Sequence, residues 1–275
     1  MESFFSLLKR RVDDCSSLLC VGLDPHVADL PEPTAEAALR FCLTLVQQTA
    51  SYAAAFKPNA AFFEVFGAEG WNALRQVIQA IGEESARTGS RIPVILDAKR
   101  GDIASTAAAY AQSAFEMLGA DCITLSPYLG QDSLAPFLRN PQKGVFLLCK
   151  TSNPGAGDLQ DLEIVSGPWA DDRQPLYLHV ARLAQDWNTR NNLGLVVGAT
   201  QPAALARVRA AAPNVWILAP GVGAQGGDLS AALQAGLRAD GKGLLLPISR
   251  GISRAENPAR AAAELRDRML ESRNP

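Results

Sequence analysis

Residues 93–118 read PVILDAKRGDIASTAAAYAQSAFEML. The run 93–99 is short, apolar and bounded by Pro93, which predicts a strand; 103–118 is rich in Ala and carries helical periodicity, which predicts a helix. The charged residues Asp97, Lys99 and Asp102, with Arg100 among them, cluster where the one gives way to the other. The segment therefore reads as one βα unit with its charge at the junction.

The same unit recurs along the chain. Strands are predicted at 18–24, 54–60, 93–99, 122–127, 144–150, 194–199, 215–221 and 243–248, and helices at 34–51, 68–88, 103–118, 177–191, 203–211, 228–238 and 257–271. Pro or Gly punctuates many helix ends. Strands apolar along their whole length point to a parallel sheet covered on its outer face, and eight βα units favour closure into a (β/α)8 TIM barrel over an open doubly wound sheet. A barrel of this kind takes about 250 residues, so 275 residues are read as one catalytic domain, 1–275. The stretch 151–176 is too polar and too rich in Gly, Pro and Asp for a barrel wall. It is expected to be a long loop after the fifth strand, either a solvated insertion or a lid.

Composition narrows the function classes. With 26 basic and 28 acidic residues the net charge is −2, so no basic stripe for nucleic acid is expected. No apolar run approaches the ~20 residues needed to cross a bilayer, and the N-terminus does not read as a secretion signal. A cytoplasmic protein without a membrane partner is expected. The five cysteines are odd in number and scattered in apolar segments, as suits reduced core thiols. The two histidines, His26 and His179, and the absence of Cys pairs at ligand spacing leave no metal constellation, and no dinucleotide fingerprint stands out.

In a parallel barrel the chemistry gathers at the C-terminal ends of the strands, so charged residues that close apolar runs are the candidates. The first run ends with Asp24, the second with Lys57, the third with Asp97, Lys99 and Asp102, and the eighth with Arg250. Asp97 and Lys99, two apart, would share one face of the strand; Asp102 could instead cap the following helix. A Lys beside carboxylates keeps its proton, so Lys99 is expected to be a buried ammonium that stabilises developing negative charge and donates a proton, rather than a Schiff-base nucleophile. A salt-bridge cluster without chemistry is the alternative. After the seventh strand, APGVGAQGGD (219–228) is either a set of tight turns or a phosphate loop, and Arg250 favours phosphate because the loops after strands seven and eight are the frequent anion site of these barrels.

These residues resemble the orotidine 5′-monophosphate decarboxylases, in their longer bacterial branch. LDAKRGDI (96–103) is similar to the family's D-x-K-x-x-D signature, FKPN (56–59) to its second-strand lysine, GLDP (22–25) to its first-strand aspartate, and PGVGAQGGD (220–228) with SRG (249–251) to its phosphate grip. The resemblance implies a barrel that converts orotidine 5′-monophosphate to UMP and CO₂ in pyrimidine synthesis without a cofactor. It implies Asp97, Lys99, Asp102 and Lys57 as the catalytic array, with Asp24 and Lys57 on ribose hydroxyls and Ser152 on the pyrimidine. It places Gln225, Arg250 and Gly251 on the phosphate. It further implies a homodimer in which Asp102 and Thr106 reach the partner's site. Two rivals stay open: a metal-dependent barrel acting on a sugar phosphate, as a decarboxylase or hexulose-phosphate synthase, and a non-catalytic phosphometabolite-binding barrel.

Overall fold

The computed structural model describes residues 2–165, 173–223 and 226–273. Eight parallel strands, each followed by helix, run β1 Leu19–Leu23, β2 Ala55–Pro58, β3 Ile95–Arg100, β4 Cys122–Leu125, β5 Gly144–Lys150, β6 Leu193–Val197, β7 Ile217–Leu218 and β8 Leu244–Ile248. All eight predicted strands are present, several of them trimmed at the ends. β1 pairs with both β2 and β8, and the ladder continues in order around to β3. The bridges Phe56 to Val94 and Asn59 to Asp97 then join β2 to β3 and close the barrel.

The seven predicted helices are also present, with one irregularity: after Ala104–Gln112 the backbone widens into a π-turn over Ser113–Met117. Two longer helices were not anticipated. Gln131–Leu138 carries an internal Pro136, which hides the periodicity, and Phe4–Cys15 precedes the first strand. The latter plugs the N-terminal mouth of the barrel. Phe5 meets Phe146 edge-on at 5.4 Å and stacks on Trp216 at 6.0 Å, and all three rings are fully buried. Gly194 makes room for them, since a Cβ there would lie 2.8 Å from both Phe5 and Phe146. With the bottom sealed by rings, the open end lies at the strand C-termini.

Of the stretch 151–176, residues 166–172 lie outside the described residues, and the described part carries more regular structure than a plain loop. It forms a 3-10 turn at Pro154–Ala156, a short helix at Gly157–Gln160, and a two-residue antiparallel pairing of Glu163–Ile164 with Gln174–Pro175. All five cysteines are buried and free. No described helix is long and apolar enough to cross a membrane.

Candidate active site

A cavity of about 710 Å³ opens at the C-terminal ends of the strands. Asp24, Lys57, Asp97, Lys99 and Arg250, from four different strand ends, all line it, together with Ser152 and Gly251. Along its wall runs a three-residue chain of charge: Lys57 Nζ donates to Asp97 Oδ2 at 2.7 Å, and Lys99 Nζ donates to Asp97 Oδ1 at 2.6 Å.

Local backbone makes this possible. The β3 register slips between Leu96 and Arg100, and Lys99 adopts a left-handed φ of 47°, so Asp97 and Lys99 meet through a kink rather than by regular alternation along a strand. A non-glycine residue held there stores strain of order 1–3 kcal/mol, the kind of cost that a folded surrounding sustains at functional sites. Thr124 on the neighbouring strand β4 pins the kink. Its Oγ1 accepts from the amides of Ala98 (3.0 Å) and Lys99 (2.9 Å) and donates to Asp97 Oδ1 (2.9 Å).

The buried ammonium is Lys57, not Lys99. The Lys57 side chain is 9% exposed and that of Lys99 49%, so the expectation of a buried Lys99 is corrected. Burial works against the Lys57 charge, but Asp97, Asp24 and the hydrogen bond to Asp97 outweigh it and hold the pKa above the ordinary lysine value. Burial likewise opposes ionisation of Asp97, yet the two lysines push its pKa well below the usual carboxylate range. Lys57 and Asp97 therefore form a charged pair at neutral pH. Asp24 Oδ1 and Ser249 Oγ, from residues lining the same cavity, are buried without a hydrogen-bond partner among the described residues. Unpaired buried oxygens of this kind are costly unless a ligand hydroxyl or similar group completes them.

Asp102 and Thr106, which the resemblance assigns to the partner's site, do not join this array. Asp102 is not the N-cap, which falls to Ile103; its carboxylate instead accepts from the Ile103 amide at 2.8 Å. Neither Asp102 nor the exposed Thr106 lines the cavity of its own chain. In the glycine loop, Gly221, Gly223 and Gly226 all have positive φ, and Pro220, Gly221 and Val222 face the cavity beside Arg250. Gln225 lies outside the described residues.

The family model described as "Orotidine 5'-phosphate decarboxylase / HUMPS family" matches residues 17–265, from before β1 into the last helix. The chain belongs to this family. It is 51% identical over 268 residues to an orotidine 5′-phosphate decarboxylase of Roseiflexus castenholzii, covering 96% of this chain and 93% of that protein. Among solved structures, the Leishmania donovani OMP decarboxylase is similar with TM-score 0.87 and 54% identity, covering 99% of each chain. The orotidine 5′-monophosphate decarboxylase of Plasmodium berghei keeps a TM-score of 0.83 at 25% identity, covering 98% of each chain. The family likeness thus spans the whole barrel and every strand end that carries a candidate residue.

The site also holds residues to which the sequence reading gave no role of their own. Thr124 and Ser249 are small polar residues at the ends of apolar runs, where a threonine or serine looks like an ordinary strand or turn former. Lys150 closes the fifth run just as Lys57 closes the second, and the same strand-end rule reaches it.

Proposed function

We infer that this chain catalyses the decarboxylation of orotidine 5′-monophosphate to UMP and CO₂, a step of pyrimidine synthesis, and that residues 1–275 act as one catalytic unit. The observation that carries this reading is the Lys57–Asp97–Lys99 chain, with contacts of 2.7 and 2.6 Å, on the wall of a cavity rimmed by Arg250 and the glycine loop. Loss of CO₂ from C6 of the pyrimidine leaves an electron pair that the ring cannot readily delocalise. Asp97, kept ionised by its two lysines, crowds the departing carboxylate. Lys99, the more accessible ammonium, stabilises the carbanion and then protonates C6. Lys57 holds Asp97 in place and, with Asp24, takes the ribose hydroxyls. Ser152 contacts the pyrimidine, and Gln225, Arg250 and Gly251 hold the phosphate. Rate gains at the upper end of enzyme experience need on the order of 20 kcal/mol, more than one ammonium supplies, so binding energy from the phosphate is spent on the reacting centre.

The metal-dependent sugar-phosphate reading fits the site less well. Both Asp97 oxygens are already engaged, Oδ2 by one ammonium and Oδ1 by the other and by Thr124, and a carboxylate flanked by two cations is a poor ligand for a third. Among the described residues no cluster of three His, Cys, Asp or Glu side chains could hold a metal ion. The test is the fall in ultraviolet absorbance of orotidine 5′-monophosphate, assayed with the protein held in EDTA. Turnover is expected to be unchanged by the chelator. Loss of turnover that Mg²⁺ restores would move the assignment to the sugar-phosphate chemistry, and phosphate-ligand binding without any turnover would move it to a binding protein.

A surface also fits the homodimer that the resemblance implies. Val65, Ile103, Tyr110, Tyr128 and Leu129, from the segments after the neighbouring strands β2, β3 and β4, are exposed large hydrophobic residues, and Asp102 and Thr106 belong to the segment after β3. Exposed apolar side chains on neighbouring segments favour a protein partner. Asp102 and Thr106, outside their own cavity, would complete the site of a second copy docked there.

A further inference from the structure

β5 ends at Lys150, whose side chain is only 4% exposed but is absent from the cavity wall. Its Nζ donates to Asp161 Oδ1 at 2.7 Å and sits 5.6 Å from the centre of the Tyr177 ring, within the reach of a cation–π contact. The ion pair ties the end of the strand to the far end of the Gly157–Gln160 helix, eleven residues on. Gln160, on the last turn of that helix, folds back on Thr151 with both ends of its amide. Its Oε1 accepts from the Thr151 amide at 2.9 Å, and its Nε2 donates to Thr151 Oγ1 at 2.8 Å. Thr151 Oγ1 in turn donates to Asn153 Oδ1 at 2.6 Å. Ser152 lies between these two residues.

The other side of the segment is fixed as well. The Gly198 amide, just beyond β6, donates to the Lys150 carbonyl at 2.8 Å. A Cβ on Gly198 would come within 3.1 Å of Ser152 Cβ and 3.4 Å of its amide nitrogen. Ser152 therefore packs against the bare backbone of Gly198, while its neighbour Thr151 is held by Gln160 and the strand end before it by the Lys150–Asp161 pair. Thr151, Ser152, Asn153 and Gln160 all face the cavity on the side away from Arg250's strand, with β6 and β7 between.

We propose that Gln160 and Lys150 are positioning residues for base recognition: the Gln160 amide and the Lys150–Asp161 pair set the Thr151–Asn153 segment at the cavity rim, and this placement determines how strongly the site prefers a ligand carrying a pyrimidine over the same sugar phosphate without one. The inference rests on the functional reading above. Neither residue touches the reacting carbon; each acts through the segment it holds. Replacing Gln160 by Ala frees two contacts to Thr151, each of ordinary neutral strength, and their combined loss corresponds to about a tenfold change in affinity.

The experiment compares, by titration calorimetry, binding of UMP and of ribose 5-phosphate, which shares its sugar and phosphate and lacks the base. In Gln160→Ala and in Lys150→Met, UMP affinity is expected to fall about tenfold while ribose 5-phosphate affinity changes less than twofold. Thr151→Ser, which keeps the hydroxyl that Gln160 grips, is expected to retain wild-type preference, and Thr151→Val to lose it. Gly198→Ala gives an independent arm, because it displaces Ser152 while leaving every polar anchor in place, and is expected to reproduce the selective loss. Equal weakening of both ligands, or an unaltered preference in the folded Gln160→Ala protein, would overturn the proposal while leaving the decarboxylase reading intact. A wild-type protein that neither turns over orotidine 5′-monophosphate nor prefers UMP would overturn the functional reading, and this proposal with it.

Discussion

Asp97 stands between two ammoniums that are not equivalent. Lys57 is enclosed, whereas half of the Lys99 side chain remains exposed. Lys99→Ala removes the proposed acid from a site already open to water, so the fold is expected to survive while kcat falls by at least three orders of magnitude, about 4 kcal/mol of barrier, in the absorbance assay. Near wild-type turnover by that variant would exclude Lys99 as the proton donor. Lys57→Ala deprives a buried carboxylate of its better-shielded partner. Its cost should appear first in stability, near the lower end of the ~3–5 kcal/mol seen when a buried pair is broken, because Lys99 and Thr124 still hold Asp97. Chemical denaturation of the two variants side by side distinguishes the roles.

The same pair sets a pH dependence. Asp97 has a lower pKa folded than unfolded, so its contribution to stability is complete above the unfolded value of about 4 and drains away as pH falls below it toward the folded value. Lys57 has a higher pKa folded than unfolded, so its contribution is complete below about 10 and is lost only as pH rises beyond that. Stability conferred by the Lys57–Asp97 pair is therefore expected to be flat between about pH 5 and 10. Asp97→Asn should be less stable at pH 7 but show a shallower loss of stability between about pH 4 and 2 than the wild type. An acid limb of equal steepness in both proteins would mean that Asp97 is not the group being titrated.

At the scale of elements, what the sequence displays is whatever repeats. Eight apolar runs, each followed by a helical pattern, were legible because a parallel strand covered on its outer face has little reason to alternate. The helix Phe4–Cys15 was not, although Phe4, Phe5, Leu8 and Val12 carry helical spacing, because it lies outside the βα repeat and its role is visible only once Gly144, Phe146, Gly194 and Trp216 surround it. The kink at Lys99 was illegible for a related reason: left-handed backbone at a lysine is imposed by Thr124 on the next strand, not by local preference. The plug has its own test. Phe5→Ala opens a cavity among fully buried rings and is expected to cost about 3–5 kcal/mol in thermal or denaturant unfolding. Since the rings lie at the opposite end of the barrel from the charge array, KM measured well below the new melting point should be unchanged. A marked rise in KM would mean that the plug shapes the site.

For the molecule as a whole, the strand ends of one chain supply Asp24, Lys57, Asp97, Lys99 and Arg250, but leave Asp102 and Thr106 outside. If Asp102 serves the neighbouring site, as the resemblance implies, activity is a property of the pair of chains. Lys99→Ala and Asp102→Asn homodimers should then each be nearly inactive. In a mixed dimer, one site carries both defects, whereas the other combines the intact Lys99 of one chain with the intact Asp102 of its partner. Random remixing makes about half of the dimers mixed, each with one good site of two, so activity should return to roughly a quarter of wild type. If Asp102 acts within its own chain, every site in every dimer keeps one defect. Native mass spectrometry establishes whether the remixed sample contains heterodimers, and heterodimers without recovered turnover would rule out a site shared between chains.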